Sequence, residues 1–194
     1  NGELVDSVNM QFKNITSDET KEVIVSNGKY VSAITLEEQD DVLITLNKDG
    51  FAFTSQYISS EDDDFKGPSE LNMEFNKIED GKSFKLNNIY FSTDSYELNK
   101  VSKIILKSFA HYLIQNDSLE LIISGHTDNV GDDNRNFILS TSRAESVYLF
   151  LIENNIDKNR LTFKGFGEKN PIENNNTKQG RSKNRRTEFT IIGK

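Results

Sequence analysis

The stretch Leu119-Glu120-Leu121-Ile122-Ile123-Ser124-Gly125-His126-Thr127-Asp128-Asn129-Val130-Gly131, continued by Asn136, Leu139-Ser140 and Ser142-Arg143-Ala144-Glu145-Ser146-Val147, decides how this chain is built. Its first six residues form a short apolar run that reads as a buried strand. The glycines that follow mark a turn, and Phe137, Ala144, Val147, Tyr148 and Leu151 then recur at helical spacing. Asp128 therefore falls at a strand-to-helix junction, with Arg143 on the helix about fifteen residues later. On that helix Asn136, Ser140, Arg143 and Val147 are spaced by four, three and four, so they share one face. An acid and a base presented together in this way suit a zwitterionic ligand. The guanidinium can take a carboxylate in two parallel hydrogen bonds, and the acid can accept from an ammonium.

Outward from this junction the pattern continues as strands alternating with long helical periods. Residues 86–91 read as a strand, and Leu98, Val101, Ile104, Ile105, Phe109, Tyr112 and Leu113 as a helix. Residues 161–166 and 188–192 read as two further strands. The order βαβαββ, with both helices free to cover one sheet face, predicts a two-layer α+β sandwich over residues 83–194. The Asn-rich stretches Asn154-Asn155 and Asn174 to Asn176 read as loops.

Before Gly81 the character differs. Residues 1–82 carry 18 acids against 7 bases, a net of −11, whereas residues 83–194 carry 16 bases against 13 acids, a net of +3. The front part alternates with period two at Val8, Met10, Phe12; Val23, Val25; Tyr30, Ser32, Ile34; Val42, Ile44, Leu46; Phe51, Phe53; and Leu71, Met73, Phe75. Asn27-Gly28 and Asp49-Gly50 are hairpin signals between such runs. A small antiparallel β-sandwich is expected over residues 1–82. The four acids Glu61 to Asp64 before Gly67-Pro68 read as a solvated loop, since their spacing is not that of a calcium loop.

Composition narrows the functional classes. A net charge of −8 argues against general nucleic-acid binding, which needs a basic stripe against phosphate. With no cysteine there is neither disulfide nor thiolate chemistry. No run is long and apolar enough to span a bilayer, and the residues from Asn1 onward do not read as a basic-then-apolar leader, so any signal peptide, lipid anchor or barrel is expected upstream of Asn1. Oligomeric state is not readable from this sequence.

Residues 84–193 resemble the OmpA-like peptidoglycan-binding domain shared by OmpA, MotB and Pal-type proteins. The resemblance rests on Ile89-Tyr90-Phe91 before Thr93-Asp94 and Leu98; on Gly125-His126-Thr127-Asp128 with Gly131; and on Asn136, Leu139-Ser140, Arg143-Ala144 and Val147. It continues through Gly165-Phe166-Gly167-Glu168, Asn170-Pro171-Ile172, Thr177, Gly180-Arg181 and Asn184-Arg185-Arg186 before Glu188. The resemblance implies a non-enzymatic domain, without cofactor, that grips the stem peptide of the bacterial wall through meso-diaminopimelate. It places the chain on the periplasmic side of the outer membrane of a Gram-negative bacterium. It also implies that Asp128 and Arg143 are the ligand's acid and base, with Thr93, Asp94, Asn136 and Thr187 as further contacts. Ser92 stands where an Asp is frequent in the family, and Phe166 where a Tyr is. More loosely, Gly28-Lys29-Tyr30 followed by Lys48-Asp49-Gly50-Phe51-Ala52-Phe53 resembles transthyretin-like modules that precede such domains.

Two rival readings follow from the residues. His126 with Asp128, Asp132 and Asp133 could form the metal centre of a hydrolase. His111 lies on the first helix, though, and no His-x-x-x-His spacing occurs, which favours a packed or surface histidine. Alternatively, the acidic front part is an interaction module for a protein or glycan and the rear part a spacer. At least one of Arg185 and Arg186 reads as a brace for the ligand loop or the sheet edge rather than as part of a phosphate patch.

Overall fold

The computed structural model describes residues 5–26, 40–59, 73, 75–86, 89–92 and 95–194. The chain divides into two compact units, Asn1–Ile78 and Glu79–Lys194.

Within the first unit the described residues form one four-stranded antiparallel sheet. It comprises β1 (Val8–Asn14), β2 (Thr20–Val25), β3 (Asp41–Asn47) and β4 (Thr54–Ser59), in the order β2-β1-β3-β4. The period-two runs do what alternation dictates. Met10 pairs with both Val23 and Leu46, and Phe12 with Ile44, so apolar side chains from three strands meet on one face. That face holds clusters around Val8, Val25 and Leu46 and around Val42, Ile44 and Ile58. At the centre β3 is buried from Val42 to Leu46, on both faces.

Two local details shape the connections of this sheet. The β1–β2 connection is a turn in which the Asn14 side chain accepts from the N–H groups of Thr16 and Ser17, and Asp18 sits at φ 62°. The last strand starts at Thr54 rather than over Phe51 and Phe53. Gly50 turns the chain at φ 78°, leaving Phe51 to bridge to Lys77 and stack on Phe75 at 4.7 Å. The expected strand at Tyr30 to Ile34, the Asn27-Gly28 turn, the Gly28-Lys29-Tyr30 motif, the acidic loop Glu61 to Asp64, Gly67-Pro68 and Leu71 lie outside the described residues.

The second unit is a four-stranded mixed sheet, in the order β5-β8-β6-β7, made of β5 (Ser83–Lys85), β6 (Glu120–Gly125), β7 (Leu161–Gly165) and β8 (Thr187–Gly193). Strands β6 and β7 run parallel, while β8 is antiparallel to both β6 and β5. Helices α1 (Lys100–Gln115) and α2 (Asp133–Glu153) lie on one face. Paired residues share a face, and the register sets Ile123 against Phe189 and Gly125 against both Thr187 and Gly165. Phe109 of α1 meets Phe189 edge-to-face at 4.8 Å, and α2 covers Gly125 and Gly165. The core contains Phe109, Leu106, Leu113, Leu121, Ile123, Val147, Leu151, Phe189 and Ile191, all within 1% of full burial.

The first strand expected over 86–91 is instead the short β5, whose residues pair with β8. Leu86 and Ile89 are buried without extending it, and Phe91 bridges to Leu98 at the approach to α1. Asn99 then caps α1 by accepting from the Ser102 N–H. Buried Ser102 in turn ties down Tyr90, accepting from its N–H and donating to its carbonyl. Arg160, on the 3₁₀ turn Lys158–Arg160, donates to the carbonyls of Leu113, Asn116 and Leu119 and so fastens the end of α1 to β6. A short helix α3 (Lys178–Asn184), capped by Thr177, precedes β8 where only a loop was expected.

Candidate functional site

Small residues bring the parts of the site together. At Gly125 an added Cβ would run into the Ser140 carbonyl, and at Gly165 into Thr141 and the Ser140 hydroxyl. Because these glycines are register partners, the amino-terminal half of α2 lies directly on the ends of two parallel strands. Ser140 fills the contact productively, accepting from the Gly167 N–H at 2.8 Å while donating to the Phe137 carbonyl. The buried face of α2 therefore begins with Asn136 and Ser140 and becomes apolar only at Ala144, Val147 and Leu151. Phe137, one of the apolar residues that mark this helix in the sequence, is 47% exposed, because the close approach leaves room for small or polar side chains only. Asp132 caps the helix by accepting from the Arg135 N–H.

Asn136 is the hub of this region. Its amide donates to the carbonyls of Asp128 and Val130 and to a Glu168 carboxylate oxygen at 2.7 Å, joining the turn after β6 to the turn after β7. Backbone bonds close the frame: Thr127 N–H to Gly167 O, His126 N–H to Arg186 O and Phe166 N–H to Gly125 O. In this frame Asp128 is 8% exposed, with Oδ1 accepting from the Val130 N–H at 3.0 Å. Its Oδ2 pairs with Nη1 of Arg185 at 2.5 Å, and the Arg185 side chain is 45% exposed. Thr187 is buried in the register position opposite Gly125.

Arg143 occupies different surroundings. Its Nε donates to the Ser95 carbonyl at 2.9 Å and its Nη2 to the Ser92 carbonyl at 3.4 Å, and the guanidinium lies 5.1 Å from the centre of the Phe91 ring. It thus holds the segment leading into α1. The base beside Asp128 is Arg185, which the sequence spacing does not indicate, because it lies 57 residues away along the chain. Thr93 and Asp94 lie outside the described residues.

The two arginines before Glu188 divide their work. Arg186 is buried, donating to Glu188 at 2.6 Å and to the carbonyls of Asn184 and Asn170. Asn184 in turn ties the preceding loop through Ile172, Glu173 and Asn175. His126 is 4% exposed, stacked on Phe166 at 5.2 Å, with Nε2 3.6 Å from Glu188, an ion-pair distance too long for a hydrogen bond. The His126 imidazole first, and then the Arg186 guanidinium, hold the Glu188 carboxyl down from 4.5 to about 2 against the opposing effect of burial.

A depressed carboxylate stabilises the fold above its unfolded pKa, and that stabilisation is lost as pH falls from about 4.5 through about 2. Glu188→Gln is therefore expected to be less stable than the parent at pH 7, by roughly 1–3 kcal/mol. The difference should vanish near pH 2. Thermal melts across this range check it, and a pH-independent offset would contradict it.

Among the described residues, no three His, Asp or Glu side chains come together as a metal centre requires. His126 faces Glu188, Asp128 faces Arg185, and Asp132 caps α2. The set proposed for a metal-dependent hydrolase is thus dispersed over separate tasks. Nor is any helix among the described residues long and apolar enough to cross a membrane.

The second unit is thus a two-layer α+β domain whose strand-to-helix turn is framed by Asn136 and closed by the Asp128–Arg185 pair. Residues 90–185 match the OmpA family, and the second unit carries an OmpA family domain. Relatives include Outer membrane protein A of Bordetella avium, 36% identical over 104 residues, covering 54% of this chain and 54% of the relative. Motility protein B of Bacillus subtilis is 38% identical, covering 54% and 42%, and the peptidoglycan-associated lipoprotein of Buchnera aphidicola is 31% identical, covering 53% and 60%. The chain thus spans about half the length of these curated relatives. Among solved structures, the periplasmic domain of Helicobacter pylori MotB superposes with a TM-score of 0.53 at 26% identity, covering 61% of this chain and 77% of that one. The cell wall anchor of the T6SS from Pseudomonas aeruginosa superposes with a TM-score of 0.51 at 25% identity, covering 58% and 80%.

Proposed function

We propose that this protein binds peptidoglycan non-covalently through the diaminopimelate of the stem peptide and so anchors the outer membrane to the wall from the periplasmic side, cleaving nothing. The observation that carries the reading is the Asp128 carboxylate, held at the end of β6 by the Asn136 frame in an OmpA family domain. Among its relatives is a peptidoglycan-associated lipoprotein, and among its structural neighbours a cell wall anchor. In this reading Asp128 accepts from the ligand's ammonium. Asn136 and Thr187 fix the turn around it, and Arg143 secures the segment that carries Thr93 and Asp94, two further contacts.

Charge-assisted hydrogen bonds are worth roughly 1.5–3 kcal/mol each, so a few of them, less the cost of immobilising a peptide, give modest affinity for a single stem. Retention on the wall then comes from many copies meeting a polymeric ligand. Purified protein is expected to pellet with isolated sacculi, equally with and without a chelator, and to release no soluble muropeptide. Protein left in the supernatant, or muropeptide release that a chelator stops, would refute this reading.

A further inference from the structure

Helix α1 turns a basic side to solvent. Its exposed positions include Lys100, Lys103, Lys107 and His111, and its 16 residues contain no acid, in a chain of net charge −8. Spacings of three and four keep the three lysines along one side, over about 10 Å of helix axis. Among the described residues none of the three has an ion-pair partner. The nearest acids along the chain, Glu97 and Asp117, stand beyond the two ends of the helix, and the acid nearest Phe150 on α2 is Glu153, one turn on. The three lysines rim an open cleft of about 430 Å³ whose apolar lining is Ile104 of α1 and Phe150 of α2. Further along the same side of α1, Ile114 is 50% exposed. A basic rim over an apolar cleft is complementary to an anionic amphiphile, with phosphate on the rim and hydrocarbon within. An acidic peptide would instead offer carboxylates, which the planar fork of arginine reads better, and α1 holds no arginine. Lysine, a hydrated point charge on a flexible stem, suits the diffuse field of a charged surface.

We infer that the outer side of α1, with Phe150 of α2, is a docking surface for an anionic phospholipid membrane. Lys100, Lys103 and Lys107 meet lipid phosphates while an acyl chain settles against Ile104 and Phe150. Charge and apolar contact are both needed, since either signal alone gives only weak, reversible attachment. None of these residues belongs to the Asp128 turn, so this surface is independent of the peptidoglycan reading.

In vesicle flotation at low salt the full chain should rise with phosphatidylcholine mixed equally with phosphatidylglycerol, and not with phosphatidylcholine alone. Combining Lys100→Gln, Lys103→Gln and Lys107→Gln should weaken that partition about a hundredfold, roughly fivefold for each lysine near an anionic surface. Phe150→Ala, which keeps the lysines, should weaken it about tenfold. A control that makes the same change of charge at exposed Lys158, Lys169 and Lys178 should still float, and the α1 triple variant should still pellet with sacculi. No preference of the parent chain for anionic vesicles would overturn the inference. So would equal losses in the two triple variants, which would reduce the effect to net charge, or undiminished binding in Phe150→Ala. A parent chain that bound soluble polyglutamate but no vesicle would also overturn it, in favour of an acidic protein partner. Failure to pellet with sacculi would instead count against the proposed function and leave the vesicle result standing.

Discussion

Asp128→Asn protein is expected to remain in the supernatant with sacculi that pull the parent chain down, while melting within a few degrees of it. The substitution keeps the shape of the side chain and an oxygen for the Val130 N–H, and removes only the charge. Folding should lose little. The partner it abandons, Arg185, is 45% exposed and can be solvated in place, so the ion pair contributes about 1 kcal/mol or less. Binding should lose much more. The ligand's ammonium would leave water for a site without a countercharge, and each lost charge-assisted bond costs roughly ten- to a hundredfold per contact, compounded over several copies on one wall. Arg143→Ala is expected to fail in the same assay by a different route, because it frees the Ser92 and Ser95 carbonyls and loosens the approach to α1. Retention of Asp128→Asn on sacculi would remove Asp128 from the site.

A second large effect is expected in the frame itself. Gly125→Ala places a methyl group in the Ser140 carbonyl, a backbone atom of α2 that cannot rotate away. The helix must lift from the ends of β6 and β7, disturbing the Ser140–Gly167 bond and the reach of Asn136 to Asp128 and Glu168. Overpacking of this kind costs about 3 kcal/mol or more when backbone must move. Gly50→Ala in the first unit is the contrasting case: no atom lies within 4 Å of the added Cβ, and only the backbone conformation at φ 78° resists. Chemical denaturation of the two variants should show the larger loss at Gly125; equal losses would mean that the helix-on-strand approach is not tight.

Much of this was legible in the sequence because it is local. The apolar run of β6, the turn at Gly125 to Gly131 and the four-three-four spacing on α2 are all read within about thirty residues, and Asn136 and Ser140 do share the buried face with Val147. What was not legible depends on contacts across the chain. Helix α3 reads Lys178-Gln179-Gly180-Arg181-Ser182-Lys183-Asn184, with no apolar period to betray it. It is held by its Thr177 cap and by the side-chain bonds of Asn184 instead. Arg185 and Arg186 look equivalent in sequence, yet one meets Asp128 and the other Glu188, a division made by where the chain enters β8. Residues 86–91 are apolar like a strand, but among the described residues the ones that pair with β8 are Ser83, Phe84 and Lys85. The buried Leu86 and Ile89 serve packing rather than hydrogen bonding.

The most direct test is an NMR titration of isotope-labelled protein with the diaminopimelate stem tripeptide, following backbone amides. The account predicts saturable shifts concentrated at Thr127 to Val130, Asn136 and Arg185 to Thr187, with those of the first unit unmoved. Saturable binding whose shifts fall elsewhere, or none at all at millimolar peptide, would contradict it.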